Sequence, residues 1–129
     1  MNDDEVVADA SAIIALLLGE RFDQVDPERL TRARVSAVNL SEVLAKLQEI
    51  GLSDLQAVDA IAPLCLRVSN FDEIQAQAAA RLRSATRQAG LSLGDRACLA
   101  LALTLGCHVI TADRAWSKVD VGVEMVFVR

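Results

Sequence analysis

Four acidic side chains stand where predicted strands give way to helices. Asp9 ends the first predicted strand, Glu42 lies in the first turn after the second, and Asp113 follows the fourth. The β→α turns of a parallel sheet all emerge at one edge, so these three acids are expected at that edge. Asp95 opens the helix that leads into the fourth strand, and this helix must carry it to the same place.

Such a set of carboxylates predicts a metal site. Like charges at short range raise one another's pKa, and one carboxyl would stay protonated unless a cation sat among them. Mg²⁺ takes oxygen ligands of this kind, usually a few carboxylates together with waters. We therefore expect Asp9, Asp95 and Asp113 as metal ligands, with Glu42 completing a catalytic set.

Each acid also has a purely structural interpretation as part of a helix cap. Serine, aspartate and asparagine accept hydrogen bonds from the free N–H groups at a helix start. The spacings S-x-x-D and N-x-x-E are typical of a capping box. The candidate caps are Asp9 or Ser11, Asp113, the pair Ser92 and Asp95, and the pair Asn39 and Glu42. Capping alone does not predict that the four acids converge on one edge.

The elements that must position these residues alternate along the chain. Apolar or β-rich runs predict strands over residues 5–9, 34–38, 64–69, 107–111 and 123–129. Helices are predicted over residues 11–20, 39–51, 53–63, 72–90 and 92–106, with short helices opened by Pro27 and over residues 113–119. The alternation predicts a mostly parallel sheet with helices on both faces, in a single domain over residues 1–129.

Composition narrows the class of protein. The chain is 53% hydrophobic and 3% aromatic with a formal net charge of -5, which argues against a broad basic surface but allows a local basic rim. The acidic start MNDDE is unlike a signal peptide, and no apolar run reaches the roughly 18 residues of a membrane span. We therefore expect a cytoplasmic protein without membrane association. Cys65, Cys98 and Cys107 each lie in an apolar stretch and are expected as buried, reduced thiols.

Several catalytic chemistries lack their residues in this chain. A single histidine, His108, excludes a two-histidine ribonuclease, and its place at the start of a predicted buried strand favours a structural role. The chain has no tyrosine nucleophile, no zinc spacing of cysteine and histidine, and no G-x-x-x-x-G-K-[ST] phosphate loop. Hydrolysis of a phosphodiester with a divalent ion fits the acids, because the ion activates water and neutralises the phosphate.

Four segments together resemble the PIN domain family, in particular the VapC-type toxins of toxin–antitoxin pairs. They are DASAIIALLLGE, SAVNLSEVLAKL, GLSLGDRACLALAL and VITADRAW, in the family's order over nearly the whole chain. The resemblance implies an α/β/α sandwich and a Mg²⁺- or Mn²⁺-dependent endoribonuclease with an antitoxin partner. The family's four acids would fall on Asp9, Glu42, Asp95 and Asp113, and its supporting polar residues on Ser11, Asn39 and Thr111. The chain departs from the family in the acidic lead NDDE and in a polar insert around residues 23–29.

Basic and apolar residues suggest partners. Arg96 and Arg114 each follow a proposed ligand, and Lys118 lies one turn later, so all three are candidates to contact RNA phosphates. Solvated or ion-paired charge is the alternative for each. The spacing of Trp116 favours core packing over stacking on a base. An apolar stripe on the first helices would suit a homodimer face or an antitoxin helix.

Two other functional classes remain open. A receiver-like domain would need an acidic pair after the first strand and a late lysine, whereas Asp3 and Asp4 precede that strand and no lysine follows Lys118. A phosphotransfer enzyme with a D-x-D motif is likewise disfavoured, because Ser11 occupies the position of the second acid. A non-catalytic interaction domain could share the fold, but an idle acidic cluster would only cost stability. The sequence does not indicate which RNA would be cut.

Overall fold

The computed structural model describes residues 5–129, which contain one five-stranded sheet. The strand order is β3-β2-β1-β4-β5, and every pairing is parallel. The strands are β1 (Val6–Ala8), β2 (Arg34–Ser36), β3 (Arg67–Ser69), β4 (His108–Thr111) and β5 (Met125–Phe127). The order reverses at β1, so the crevice beyond the carboxyl ends of β1 and β4 is the topological switch point where such sheets bind ligands.

Helices cover both faces of the sheet and produce two separate apolar clusters. The α-helices are α1 (Ala10–Leu17), α2 (Ala37–Glu49), α3 (Asp54–Ile61), α4 (Glu73–Arg81), α5 (Arg83–Thr86) and α6 (Leu93–Leu105). The first three helices pack in one cluster, and α4 and α6 pack in the other. Alternate residues of β1 divide between them, since Val6 and Ala8 face the first cluster and Val7 the second. The predicted α/β/α sandwich with a parallel sheet is confirmed.

The edge strands are less buried than the sequence predicts. β1 is buried along its whole length, whereas Val68 of β3 is 47% exposed. Residues 64–66, predicted as part of this strand, precede it: Leu64 ends a 3₁₀ turn and Cys65 adopts a left-handed conformation with φ of 49°. Cys65 is consequently exposed, and the prediction that it is buried is wrong. Cys98 and Cys107 are buried as predicted.

Helix α2 begins earlier than the sequence suggests. Its N-cap is Ser36, whose Oγ accepts a hydrogen bond from the N–H of Val38 at 3.2 Å. The predicted N-cap, Asn39, instead lies inside the first turn and is fully buried. The predicted strand over residues 34–38 therefore ends two residues sooner, because the Ser36 hydroxyl caps the helix that begins at Ala37.

The helix predicted over residues 72–90 is interrupted at Leu82, between α4 and α5. The buried hydroxyl of Thr86 donates to the carbonyl of Leu82 at 2.8 Å and packs against this break. The N–H of Thr86 also donates to this carbonyl at 3.1 Å, so the hydroxyl adds a second bond to the same acceptor, an arrangement that often accompanies bends in helices.

The burial of Trp116 and His108 can be compared with the sequence prediction for each residue. Trp116 is fully buried, as predicted, on the 3₁₀ helix Arg114–Lys118. His108 is not a core residue, because its side chain is 47% exposed and its Nε2 lies 3.1 Å from Glu124 Oε2. Within residues 5–129 no helix is long and apolar enough to cross a membrane.

Candidate active site

Asp9 lies at the switch point of the sheet, directly after β1. It occupies the N-cap position of α1, but its side chain makes no capping hydrogen bond. Its Oδ2 instead accepts hydrogen bonds from the hydroxyls of Ser11 at 2.6 Å and Thr111 at 2.9 Å. The residue is only 3% exposed. The sequence-predicted residues Asp9, Ser11 and Thr111 thus form one contact group.

The backbone fixes the direction of both hydroxyl hydrogen bonds. Ser11 Oγ accepts the N–H of Ala112 at 2.9 Å, and Thr111 Oγ1 accepts the N–H of Asp113 at 3.0 Å. Each hydroxyl oxygen accepts one backbone N–H and donates its own proton to Asp9, and the two hydroxyl oxygens lie 3.2 Å apart. Both protons go to Oδ2, so Oδ1 is the oxygen of Asp9 that remains for a proton or a cation.

The surroundings of Asp9 shift its acidity. Burial, the largest cause, raises the pKa of Asp9 to about 6. The hydrogen bonds from Ser11 and Thr111 oppose this shift, and the negative charges of Asp95 and Glu42 add to it. A positive charge placed near Oδ1 would act in the opposite direction and favour the carboxylate.

Glu42 reaches the site from α2 and is oriented by a buried asparagine. Asn39 Nδ2 donates to Glu42 Oε1 at 2.8 Å and to the carbonyl of Gly94 at 2.9 Å. Asn39 therefore links α2 to the start of α6 through its bond to Gly94, while it also holds the glutamate on its own helix. Its Oδ1 is buried and has no hydrogen-bond partner among the residues that the structure describes. The N-x-x-E spacing encodes this side-chain contact and not a capping box.

Gly94 is a site residue that sequence reasoning missed. A Cβ at this position would lie 2.6 Å from the carboxyl carbon of Glu42, closer than real Cβ atoms approach. The absence of a side chain thus gives the Glu42 carboxylate its space. A glycine in the first turn of an otherwise apolar helix was the available signal, since glycine disfavours helix and needs a packing reason.

Asp95 serves the start of α6 as a cap while it lies near the other acids. Its Oδ2 accepts the N–H of Ser92 at 2.9 Å, and Ser92 Oγ accepts the N–H of Asp95 at 3.2 Å. The capping box is therefore present. Asp9, Asp95 and Glu42 all raise the pKa of the Cys98 thiol on α6, after burial as the main cause. Three of the four predicted acids consequently surround one region.

Asp113 stands apart from that group. Its Oδ1 accepts the N–H of Ala115 at 3.0 Å and caps the 3₁₀ helix that carries Trp116. Its link to the site runs through its backbone, which donates to Thr111. The charge of Asp113 is not among those that shift Asp9.

The basic residues proposed for RNA contact have different surroundings. Arg96 Nη1 donates to the carbonyl of Ala79 at 3.1 Å, so α4 holds this side chain. Arg114 is exposed and stacks on Phe127 with its guanidinium carbon 4.6 Å from the ring centre. Lys118 is exposed. Contact of these three residues with RNA stays a prediction.

The described acids need rearrangement to form a complete metal cage. Across residues 5–129, no three side chains of aspartate, glutamate, histidine or cysteine are placed to hold an ion together as they stand. Two of the expected ligands, Asp95 and Asp113, direct an oxygen to capping hydrogen bonds.

Comparison with known proteins gives both a family and a fold. The sequence profile of the PIN domain matches residues 6–122. A DNA-bound VapBC from Salmonella typhimurium has a TM-score of 0.73 at 16% identity, covering 97% of this chain and 98% of that chain. VapBC2 from Rickettsia felis, bound to a DNA fragment from its promoter, has a TM-score of 0.68 at 10% identity, covering 93% of this chain and 96% of that chain.

A third similar structure has the same architecture. VapBC-5 from Mycobacterium tuberculosis has a TM-score of 0.61 at 19% identity, covering 96% of this chain and 98% of that chain. No curated protein sequence matches the chain. The structural likenesses show the fold, and the profile match includes the four acids and the hydroxyl residues Ser11 and Thr111. The chain belongs to the PIN domain family.

Proposed function

We propose that this chain is a metal-dependent endoribonuclease that acts as the toxin of a toxin–antitoxin pair. The observation that carries the proposal is Asp9: a buried carboxylate at the switch point, held on one oxygen by two hydroxyls and facing the charges of Glu42 and Asp95. A carboxylate in such surroundings is costly to keep ionised unless it binds a cation. Membership of the PIN family supports hydrolysis of nucleic acid.

The donor chemistry fits Mg²⁺ or Mn²⁺. All candidate ligands are hard carboxylate oxygens, and Mg²⁺ is usually held by one or two carboxylates with waters completing its shell. Asp9 would hold the ion through Oδ1, with Asp95 beside it and Asp113 further out. Such an ion supplies an activated water and neutralises charge on the phosphate.

Other residues of the site would orient Asp9, accept a proton and contact the RNA. Ser11 and Thr111 keep Asp9 in one orientation, because each hydroxyl is locked by a backbone N–H. Glu42 is exposed at the edge, where a carboxylate can accept the proton of an attacking water. Asn39 keeps that carboxylate in place. Arg114 and Lys118, both exposed, are the basic groups available to RNA phosphates.

An antitoxin and a second copy of the chain are the proposed protein partners. The structural neighbours that are toxin–antitoxin complexes support the first. An open groove of about 390 Å³ along α2, lined by residues including Leu40 and Leu44, offers an apolar surface for a helix. A basic antitoxin side chain near Asp9 would be attracted to the acids.

Cleavage of RNA by the purified protein tests the proposal. We expect cleavage with Mn²⁺ or Mg²⁺, loss of cleavage in EDTA, and loss with Asp9→Asn. Asp59→Asn, an exposed acid on α3, is the charge-matched control and should cleave normally. Ser92→Ala, which removes the cap of α6 and keeps the charge of Asp95, separates capping from chemistry when it is compared with Asp95→Asn.

Expression in cells tests the toxin assignment. The wild type should arrest growth, Glu42→Gln should not, and co-expression of the cognate antitoxin should restore growth. Equal arrest by wild type and Glu42→Gln would favour a non-catalytic interaction domain. Mapping of cut ends in total RNA after brief expression, with Asp9→Asn beside it, would identify the substrate.

A further inference from the structure

The amino edge of the sheet, opposite the acids, carries a basic pocket. It has a volume of about 210 Å³ and is lined by residues from the start of β1, the turn before β2 and the start of β3. Its charged lining residues are Arg29, Arg32, Arg67 and Glu5. The four residue steps from Glu5 to Asp9 place this pocket roughly 13 Å from the acids at about 3.3 Å per residue.

The positive charge in this pocket is only partly neutralised. Glu5 forms ion pairs with Arg34 Nε and with Arg67 Nη1, the second at 3.6 Å. Its pKa is lowered, first by the hydrogen bond from Arg34. Arg29 and Arg32 form no ion pair with any residue in the part of the chain that the structure describes. The Glu5 carboxylate is thus shared by Arg34 and Arg67, and the charges of Arg29 and Arg32 are not neutralised by an ion pair within residues 5–129.

Two features of the arginines around this pocket are unfavourable for folding. Arg34 and Arg67 lie directly opposite each other in the β2–β3 register, where like charges are unfavourable. Arg32 adopts a left-handed backbone conformation with φ of 64°, which residues with a Cβ rarely take. Its N–H donates to the carbonyl of Leu64 at 2.8 Å, which fixes the turn. Residues held in such conformations cluster at binding sites.

We propose that this pocket binds a phosphate group. The guanidinium is planar and presents paired N–H donors, which match the oxygens of phosphate better than a single ammonium does. Arg29 and Arg32 before β2 and Arg67 of β3 surround the cavity, and among residues 5–129 the first two have no ion-paired carboxylate. The phosphate is either free or part of a polynucleotide backbone. The proposal does not depend on nuclease activity, since the pocket lies at the other edge of the sheet.

Phosphate binding is measured on the full chain in EDTA, so that neither metal nor cleavage contributes. Titration with inorganic phosphate at constant ionic strength, followed by amide NMR shifts, gives the affinity. The variant Arg29→Gln/Arg32→Gln removes the two unpaired charges. Arg81→Gln/Arg83→Gln changes the net charge equally at exposed positions elsewhere and serves as the matched control.

We expect the pocket variant to weaken phosphate binding about tenfold or more, as for loss of charge-assisted hydrogen bonds, and the control to leave it within about twofold. Equal weakening by the two variants, or no saturable binding by the wild type, would overturn the proposal.

A second arm distinguishes the source of the phosphate. Anisotropy of a labelled single-stranded RNA is measured in EDTA with Asp9→Asn as the parent chain. If the polynucleotide is the ligand, the pocket variant lowers RNA affinity and reduces the salt dependence by about 1.4 in slope, for two lost contacts. If RNA binding is unchanged while inorganic phosphate binding is lost, the ligand is free phosphate.

Discussion

The protonation of Asp9 connects the candidate site to the stability of the protein. In the folded chain its pKa is about 6, against an ordinary value of 3.8, so the native state binds this proton more tightly than the unfolded state. The protonated carboxyl of Asp9 therefore contributes to stability in full below about pH 4, and this contribution is lost as the pH rises through about 6. At higher pH the ionised carboxyl costs roughly 3 kcal/mol, at about 1.4 kcal/mol per pKa unit.

Asp9→Asn should remove this pH dependence. We expect the variant to be more stable than the wild type by roughly 2–3 kcal/mol at pH 8 without metal, and nearly equal at pH 3. Urea unfolding of both proteins at several pH values, in EDTA, measures the difference. A difference that does not change between these pH values would contradict the assigned acidity of Asp9.

The contact between Gly94 and Glu42 predicts a change of sign in a double-mutant cycle. Gly94→Ala should destabilise the wild type by up to about 1 kcal/mol, because the new Cβ makes the Glu42 carboxylate, the end of a flexible exposed side chain, swing out of its hydrogen bond with Asn39. In a Glu42→Ala background the overlap is absent, and the same substitution should be neutral or stabilising by up to about 1 kcal/mol through helix propensity. Thermal unfolding of the wild type, the two single variants and the double variant gives the coupling free energy between positions 42 and 94.

The RNA cleavage rate of Gly94→Ala provides a second measurement. A displaced Glu42 should lower the rate toward that of Glu42→Gln. If Gly94→Ala costs the same stability in both backgrounds, the glycine is needed for backbone reasons and not for the carboxylate.

Sequence patterns predicted the elements better than the contacts among them. The alternation of strands and helices identified the parallel sheet, and the order of the acids along the chain placed Asp9 at its edge. The capping at Ser36 and the break at Leu82 were missed, because local hydrogen bonds decide both and residue periodicity does not report them. The closeness of Gly94 to Glu42 depends on how α2 and α6 meet, which no local pattern encodes.

The 3₁₀ helix Arg114–Lys118 makes the role of Asp113 testable at the level of an element. An N-cap contributes about 0.5–2 kcal/mol, and asparagine caps nearly as well as aspartate. Asp113→Asn should therefore keep stability within a few tenths of a kcal/mol, whereas Asp113→Ala should lose about 1 kcal/mol. Activity should fall in both, less than for Asp9→Asn, and excess Mn²⁺ should partly restore it.

Asp26 provides the matched control for this prediction, because its Oδ1 caps the 3₁₀ helix Pro27–Leu30 in the same way, by accepting the N–H of Glu28. Asp26→Ala should cost similar stability and leave cleavage unchanged. If Asp113→Asn cleaves RNA at the wild-type rate at limiting Mn²⁺, Asp113 is a cap only. The candidate site then consists of Asp9, Glu42 and Asp95.

At the scale of the whole molecule, opposite charges collect at opposite edges of one sheet. Acids follow the carboxyl ends of the strands, and arginines surround the amino ends. With a net charge of -5, the chain as a whole repels a polyanion. The acidic edge can accept an RNA phosphate only after its charge is neutralised, so metal binding and substrate binding are coupled in the proposed reaction.

This coupling predicts that metal stabilises the intact fold before any RNA is present. A ligand that binds only the native state at 100 times its Kd adds about 2.7 kcal/mol. For a domain of this size that corresponds to a rise in Tm of roughly 5–12 °C. The wild type should show this rise with saturating Mn²⁺ at pH 7.5, and Asp9→Asn should not. Arg29→Gln/Arg32→Gln should keep the full rise, because its charges lie at the other edge. A wild type whose Tm ignores both Mn²⁺ and Mg²⁺ would exclude the acids as a metal site, whatever its activity on RNA.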